Sequence, residues 1–202
     1  MYVPPLFKID DREEILRAMR TNSFATLVTN GAGGLTATHL PILVETEDPL
    51  ILAGHVSAGN GQKHDLTHGE PMILFQGPHQ YISPSWYVTS PNVPTWNYVA
   101  VHAYGKIELV TELDEVQRHL LAMVDFFDPS LRETRPDGFE SGFLNRMFGG
   151  LVAFHMKVER VDAKAKLNQN KPVPDRESVV GKLSESLADS ELAEAMKRLS
   201  FG

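Results

Sequence analysis

Residues 23–45 read SFATLVTNGAGGLTATHLPILVE. A run of β-formers from Phe24 to Thr29 meets the Gly-rich stretch Asn30–Gly34, and a second β-rich run follows from Leu35 to Glu45. Two extended runs around a short glycine-bearing turn predict a β-hairpin. Because the glycines join two strands instead of opening a helix, they make a poor nucleotide-binding fingerprint. Upstream, the two prolines of MYVPPLFKI impose an extended arm, and Asp10 or Asp11 can cap a helix over 12–21 with Ile15, Leu16 and Met19 at helical spacing. Downstream, ILAGHV predicts a third strand, SAGNGQKHDLTHGE a loop feeding a short helix, and PMILFQG a fourth strand.

The next segment differs in kind. PHQYISPSWYVTSPNVPTWNY holds Tyr81, Trp86, Tyr87, Trp96 and Tyr98 among four prolines. Such a stretch can line a flat cleft for a planar ligand, with Gln76, Ser83 and Asn97 as polar contacts, or form a subunit contact; one surface can do both. NYVAVHAYGKIELV then predicts a long strand, and Thr111-Glu-Leu-Asp114 caps a helix over 113–127. Its apolar face carries Val116, His119, Leu120, Met123 and Phe127. A loop, a helical turn around LNRMF, the strand GLVAFHMKVERVDAKAKL, the loop LNQNKPVPDRE and one or two solvated helices over 176–200 complete the chain. Six or so strands in hairpin succession, with helices at the margins, predict a mainly β (α+β) fold, a small antiparallel barrel. The expected organisation is a barrel domain over 1–175 and a helical extension over 176–202.

Composition narrows the chemistry. No cysteine among 202 residues excludes disulfides, thiolate catalysis and Cys-ligated metal or iron–sulfur sites. Any redox role must then belong to a bound cofactor. The N-terminus lacks the basic-then-apolar layout of a secretion signal, and no apolar run approaches the ~20 residues of a membrane span. A cytoplasmic protein with no membrane partner is the expectation. With 19 Lys+Arg against 26 Asp+Glu the net charge is −7, which argues against a broad nucleic-acid surface. No helix-turn-helix pattern appears, and the acidic run SESLADSELAEA would repel phosphate.

Six of the eight histidines lie between positions 39 and 102. His64 and His68, at i and i+4, would share a helix face, either as a zinc pair or as a polar surface; without an HExxH signature the polar surface is the better reading and no metal is expected. His39 stands within a strand. The loop GHVSAGNGQKHD offers His55, Ser57, Asn60, Gln62, Lys63 and a helix start, either a phosphate cradle or an ordinary capped turn. No G-x-S-x-G elbow or paired-carboxylate pattern supports a hydrolase.

Taken together, MYVPPLF, NSFATLVT, ATHLPIL, GHVSAGNGQ, FQGPHQYISPSWY, VPTWNY, VHAYGKIELV and KLNQNK resemble the PaiB-type family of FMN-binding negative transcriptional regulators, in order and over nearly the whole chain. The resemblance implies an FMN-binding split β-barrel of the six-stranded antiparallel Greek-key type with peripheral helices, assembled as a homodimer with flavin sites at the interface. It implies that Thr38, His39, Leu40 and Pro41 run along the isoalloxazine ring, and that His55, Val56, Asn60, Gln62 and Lys63 hold the ribityl chain and phosphate. It further implies that Trp96 and Asn97 approach from the partner chain, and that Lys166, Asn168 and Gln169 close over the flavin. Gln62-Lys63 replaces the Arg-Lys pair common in the oxidase branch, one cation fewer, and Asn168 replaces a frequent Ser. DNA binding follows from the family label alone. A flavin-dependent oxidoreductase or flavin reductase is the alternative, with a haem-binding split barrel behind it.

Overall fold

The structure is a computed structural model describing residues 1–134, 148–185 and 190–201. The element order is α1 (Arg12–Thr21), β1 (Phe24–Gly31), β2 (Gly34–Pro41), β3 (Leu43–Thr46), β4 (Ile51–Ser57), β5 (Met72–Ile82) and β6 (Thr95–Val110). Then come α2 (Leu113–Phe127), α3 (Leu131–Thr134), β7 (Leu151–Lys166), α4 (Val173–Ser184) and α5 (Ser190–Ser200). The seven strands form one sheet in the order β2-β1-β5-β6-β7-β4-β3. The helical turn expected around LNRMF falls largely outside the described residues.

Both helices expected from apolar spacing form over the expected residues. Asp11 caps α1, accepting from the amide of Glu13 at 2.8 Å, while α2 starts from Glu112 without a side-chain cap in place of the expected Thr111. The hairpin also forms: β1 and β2 pair in register from Phe24–Pro41 to Gly31–Gly34, and Gly34 adopts a φ of 97° at the turn.

The expected single strand over 35–45 is two strands. Pro41 has no N–H to continue the ladder, and the next residue, Ile42, turns its amide to Ser23 O at 2.8 Å. Beyond this corner the chain pairs with β4 instead of β1. β2 and β3 therefore stand at opposite ends of the sheet order although one residue separates them. A sheet whose end strands are chain neighbours must curl back towards itself, a barrel left unclosed between β2 and β3. The seventh strand comes from this corner.

The aromatic–proline segment is likewise divided. Residues 78–82 continue β5 and 95–98 begin β6, which leaves 83–94 as a loop with a 3₁₀ turn at Pro84–Trp86. The C-terminal helices begin at Val173, earlier than expected, and are not solvated all round. Val179 and Leu183 of α4, and Leu192, Ala193 and Met196 of α5, are buried.

The chain separates into two compact units: Ser23–Leu74 with Ala103–Arg160, and Met1–Asn22 with Phe75–His102 and Val161–Gly202. The first unit holds part of every strand. Leu27, Ile42, Leu52, Ile73, Phe154 and Met156 are each no more than 1% exposed in it. Gly105, on β6, sits where a β-carbon would lie 2.0 Å from the carbonyl oxygen of Lys157 on β7. The second unit buries Leu16 and Met19 of α1, Phe75, Ile82, Leu167 and the inner faces of α4 and α5.

Candidate functional site

Each unit gathers its own share of the sequence-predicted residues. In the first, β2 is an edge strand whose outer face, with that of β1, presents Leu35, Ala37 and His39 against Asn30, Val28 and Thr26. Phe24 and Leu35 on this face are 70% and 77% exposed. His39 is held rather than free: Nδ1 meets Thr26 Oγ1 at 2.9 Å and the ring stacks on Phe24 at 6.3 Å. Thr38 points the other way, to the loop that follows β4, where Asn60 Nδ2 donates to Thr38 Oγ1 at 2.9 Å. Strand and loop, nominated from separate stretches of sequence, thus meet through side chains. Leu40 is buried and anchors the strand, and Pro41 ends it.

In the loop, Asn60 caps a 3₁₀ turn, Gly61–His64, by accepting from the amide of Gln62 at 2.9 Å. The short helix expected here is this four-residue turn, and no helix carries both His64 and His68. Among the described residues no group of three or more His, Asp or Glu is arranged to hold a metal ion. Gln62 is 2% exposed, and its amide nitrogen donates to Leu27 O, Thr29 Oγ1 and Thr36 O at 3.1–3.2 Å. It pins the loop to the hairpin, leaving its buried Oε1 without a partner. Lys63 is half-buried and turns its ammonium back to Ala58 O, so the loop carries one cation folded over its own backbone. Val56 is buried, whereas His55 points to the opposite face of β4, under α2. There its Nδ1 meets His119 Nε2 at 3.0 Å, and burial lowers its pKa.

The second unit gathers Trp96, Lys166 and the loop after β7. Lys166 donates to Trp96 O at 2.7 Å and to Thr95 Oγ1; burial, with Lys164 on the same strand face, pulls its pKa down. Trp96 is 52% exposed and lies beside His79 and Tyr81 at ring separations of 6.2 and 6.3 Å. This is an open aromatic surface with an ammonium at its margin. Asn97 faces inward instead, fully buried, its Nδ2 at 3.5 Å from Met196 Sδ on α5 and its Oδ1 unpartnered.

Asn168 takes a left-handed φ of 65°, a conformation asparagine tolerates far better than other side-chained residues. Its Oδ1 accepts from the Tyr87 hydroxyl at 3.4 Å, and Gln169 closes the turn by accepting from Leu167 N and donating to Ala165 O. Replacing Asn168 by alanine is expected to lower stability by about 1–2 kcal/mol through the left-handed backbone, while Asn168→Gly restores much of that loss; denaturant midpoints of the two variants check this.

Sequence reasoning missed what holds the 83–94 loop. Asp175, fully buried at the start of α4, accepts from Val88 N and Thr89 N at 2.8 Å and from Thr89 Oγ1 at 2.6 Å. Burial pushes its carboxyl up, but these bonds and the Lys171 charge outweigh it and hold the group below the usual carboxylate range. Ser178 Oγ donates to Trp86 O at 2.6 Å, and Lys171 reaches Asn92. The signal was present as an acid in the first turn of a helix, where a carboxylate accepts from freed backbone amides.

Within the first unit, Thr38, Asn60 and Lys63 gather hydroxyl, amide and ammonium groups of the kind that suit a phosphate. Within the second, Trp96, His79 and Tyr81 form an aromatic surface of the kind that suits a planar ring. Orphaned buried polar atoms at Gln62 and Asn168 mark both segments. A curled antiparallel sheet with such segments defines the flavin-binding split-barrel class of protein. The fold is similar to that of the FAD and heme binding protein from Mycobacterium smegmatis, with a TM-score of 0.62, 17% identity and coverage of 86% of this chain and 79% of that one. It is also similar to the flavocytochrome Anf3 from Azotobacter vinelandii, with a TM-score of 0.60, 15% identity and coverage of 79% and 69%.

Residues 1–160 match the family described as "Putative FMN-binding domain". The chain is 38% identical over 204 residues to the protease synthase and sporulation protein PAI 2 of Bacillus subtilis, covering 98% of this chain and 97% of that protein. It belongs to this PaiB-type family and is an FMN-binding split-barrel protein.

Proposed function

We propose that the protein is a homodimeric, cytoplasmic regulator of the PaiB type that uses FMN as its ligand. In this reading Thr38, His39, Leu40 and Pro41 run beside the isoalloxazine ring, and Asn60 and Lys63 hold the ribityl phosphate. His55, Val56 and Gln62 keep strand and loop in place for them. Trp96 and Asn97 come from the partner chain, Trp96 supplying its face and Asn97 fixing the strand beneath it. Lys166, Asn168 and Gln169 close the margin. The observation that carries the reading is the Thr38–Asn60 hydrogen bond, which joins the ring-side strand to the phosphate-side loop. FMN, when bound, supplies a ring that accepts and returns hydride. The protein's part is to hold that ring, exclude water from one face and place a cation near the phosphate.

The exposed apolar face of β1 and β2 supports the homodimer. Phe24 and Leu35 flank Val28 and Ala37 on an edge hairpin, a surface that is stable in water when a second copy covers it. Replacing both Phe24 and Leu35 by glutamate is expected to convert a two-FMN dimer into a monomer with little flavin, read by light-scattering mass and absorbance together. An unchanged dimer would remove this face from the interface. To test the regulatory role, DNA from upstream of the protein's own gene is titrated at fixed salt, alongside NAD(P)H bleaching of the bound flavin. DNA binding that responds to FMN supports the regulator. Sustained NAD(P)H turnover without DNA binding overturns it in favour of an oxidoreductase.

A further inference from the structure

Beneath α2 lies a cluster of imidazoles outside the proposed ring and phosphate contacts. His55 on β4 stands opposite Ala153 on β7, and His155 on β7 stands opposite Ala53 on β4. Directly opposed antiparallel residues share a face, so the two histidines are diagonal neighbours on one surface with two alanines as its floor. α2 presents Val116, His119 and Met123 to this surface. Val116 packs with Ala153, and Met123 packs with Ala53 and Leu43. His119, one turn from each, comes down between the two histidines and is 5% exposed. Its Nε2 meets His55 Nδ1 at 3.0 Å, and the rings stand edge to face at 82°.

We propose that His55 and His119, with His155 beside them, form an acid-operated latch that fastens α2 over the β4–β7 face, and that its release loosens the FMN-binding loop carried by β4. The second half rests on the FMN-site reading above. Two imidazoles meeting nitrogen to nitrogen are joined by one N–H; when both are protonated, N–H faces N–H and the bond is lost. Other titratable or charged groups line the cluster's edge. Glu45 on β3 pairs with His155 Nε2 at 3.2 Å, and Lys157 lies two residues beyond His155 on β7. On α2 itself, Glu115 and Arg118 pair with each other at the exposed surface. Glu45 brings charge to one edge of the cluster, whereas among the described residues the charges acting on His119 at its centre are those of the neighbouring histidines.

The direction follows from burial. Desolvation, then the neighbouring His55 and His155, lower His119 from 6.5 to about 4, and desolvation lowers His55 as well. A group whose proton affinity falls on folding contributes stability that is complete above its ordinary value and is lost as the pH drops towards the folded one. The latch is closed at neutral pH and opens between about pH 6 and pH 4.

The test measures hydrogen exchange of the α2 amides in the full, FMN-free chain at pH 7.5 and pH 5.0, corrected for intrinsic exchange. FMN affinity is measured at the same two values. In the unaltered protein the α2 amides are expected to exchange at least about 10-fold faster at pH 5.0, and FMN to bind at least about 10-fold more weakly. His119→Leu keeps the packing without a titrating group, and His119→Gln keeps a donor to His55. In whichever variant folds, the exchange response shrinks to what His55 alone leaves, and the affinity change shrinks with it towards that of the FMN phosphate's own ionisation. An α2 that does not respond to pH, or that responds equally in the variants, overturns the latch. Opening of α2 with no difference in FMN affinity between unaltered protein and variant overturns the coupling. Failure to bind FMN at pH 7.5 sinks the FMN-site reading instead, and the exchange arm still decides the latch.

Discussion

Replacing Asn60 and Lys63 together by alanine is expected to weaken FMN binding by about 100-fold while leaving the barrel folded. The two side chains supply an amide donor and the one ammonium of the loop after β4. Hydrogen bonds to a charged phosphate are worth about 1.5–3 kcal/mol each; at the lower end of that range losing two costs about 3 kcal/mol, or about two decades in Kd. Neither side chain is a core residue, and Gln62 still pins the loop to Leu27, Thr29 and Thr36 in the variant. Fluorescence titration of FMN, with a thermal melt of the same sample, checks both halves. Replacing Gln62 alone should do the opposite. It strips three hydrogen bonds from a buried site, so the melt moves first and the affinity follows.

The second large effect is on the barrel itself. Gly105→Ala would place a methyl group 2.0 Å from Lys157 O and 3.0 Å from Val158 Cα, both backbone atoms of the neighbouring strand. Backbone cannot rotate aside as a side chain can, so β6 and β7 must separate locally. The expected loss is at least about 3 kcal/mol, which lowers Tm by about 10 °C in a chain of this size. Gly33→Ala is the control: its β-carbon meets nothing within 4 Å, and the melt should hardly change.

These two predictions mark what was and was not legible in the sequence. Elements whose signal is local were readable. The 12–21 and 113–127 helices follow from apolar spacing, and the 24–41 hairpin from its turn. The corner at Pro41–Ile42 was not: the residues on both sides read equally as strand, Pro41 marks only where the ladder can stop, and the competition between β1 and β4 as partners decides that it does. The crowding at Gly105 depends on a strand some fifty positions away and leaves no local mark.

The candidate site divides in the same way. Thr38 and Asn60 were named from different segments and do meet. His55, Gln62 and Asn97 were named by residue type, and the fold commits their side chains to internal partners. A sequence shows which polar groups exist, whereas the direction a strand faces decides which remain open to a ligand. His119 shows the converse. Among apolar positions of an amphipathic helix it reads as a core residue, and only the β4–β7 register reveals what it touches.

The central claim is that FMN lies against the Thr38–Pro41 strand and the Asn60–Lys63 loop. The most direct measurement is the backbone amide spectrum of isotope-labelled protein titrated with FMN. The account predicts that the amides of Thr38, His39, Leu40 and of Asn60 to Lys63 shift together, saturate at one FMN per chain and stay in place in the Asn60→Ala, Lys63→Ala variant at the same FMN concentration. Saturable binding that leaves these amides unmoved while others shift would contradict it.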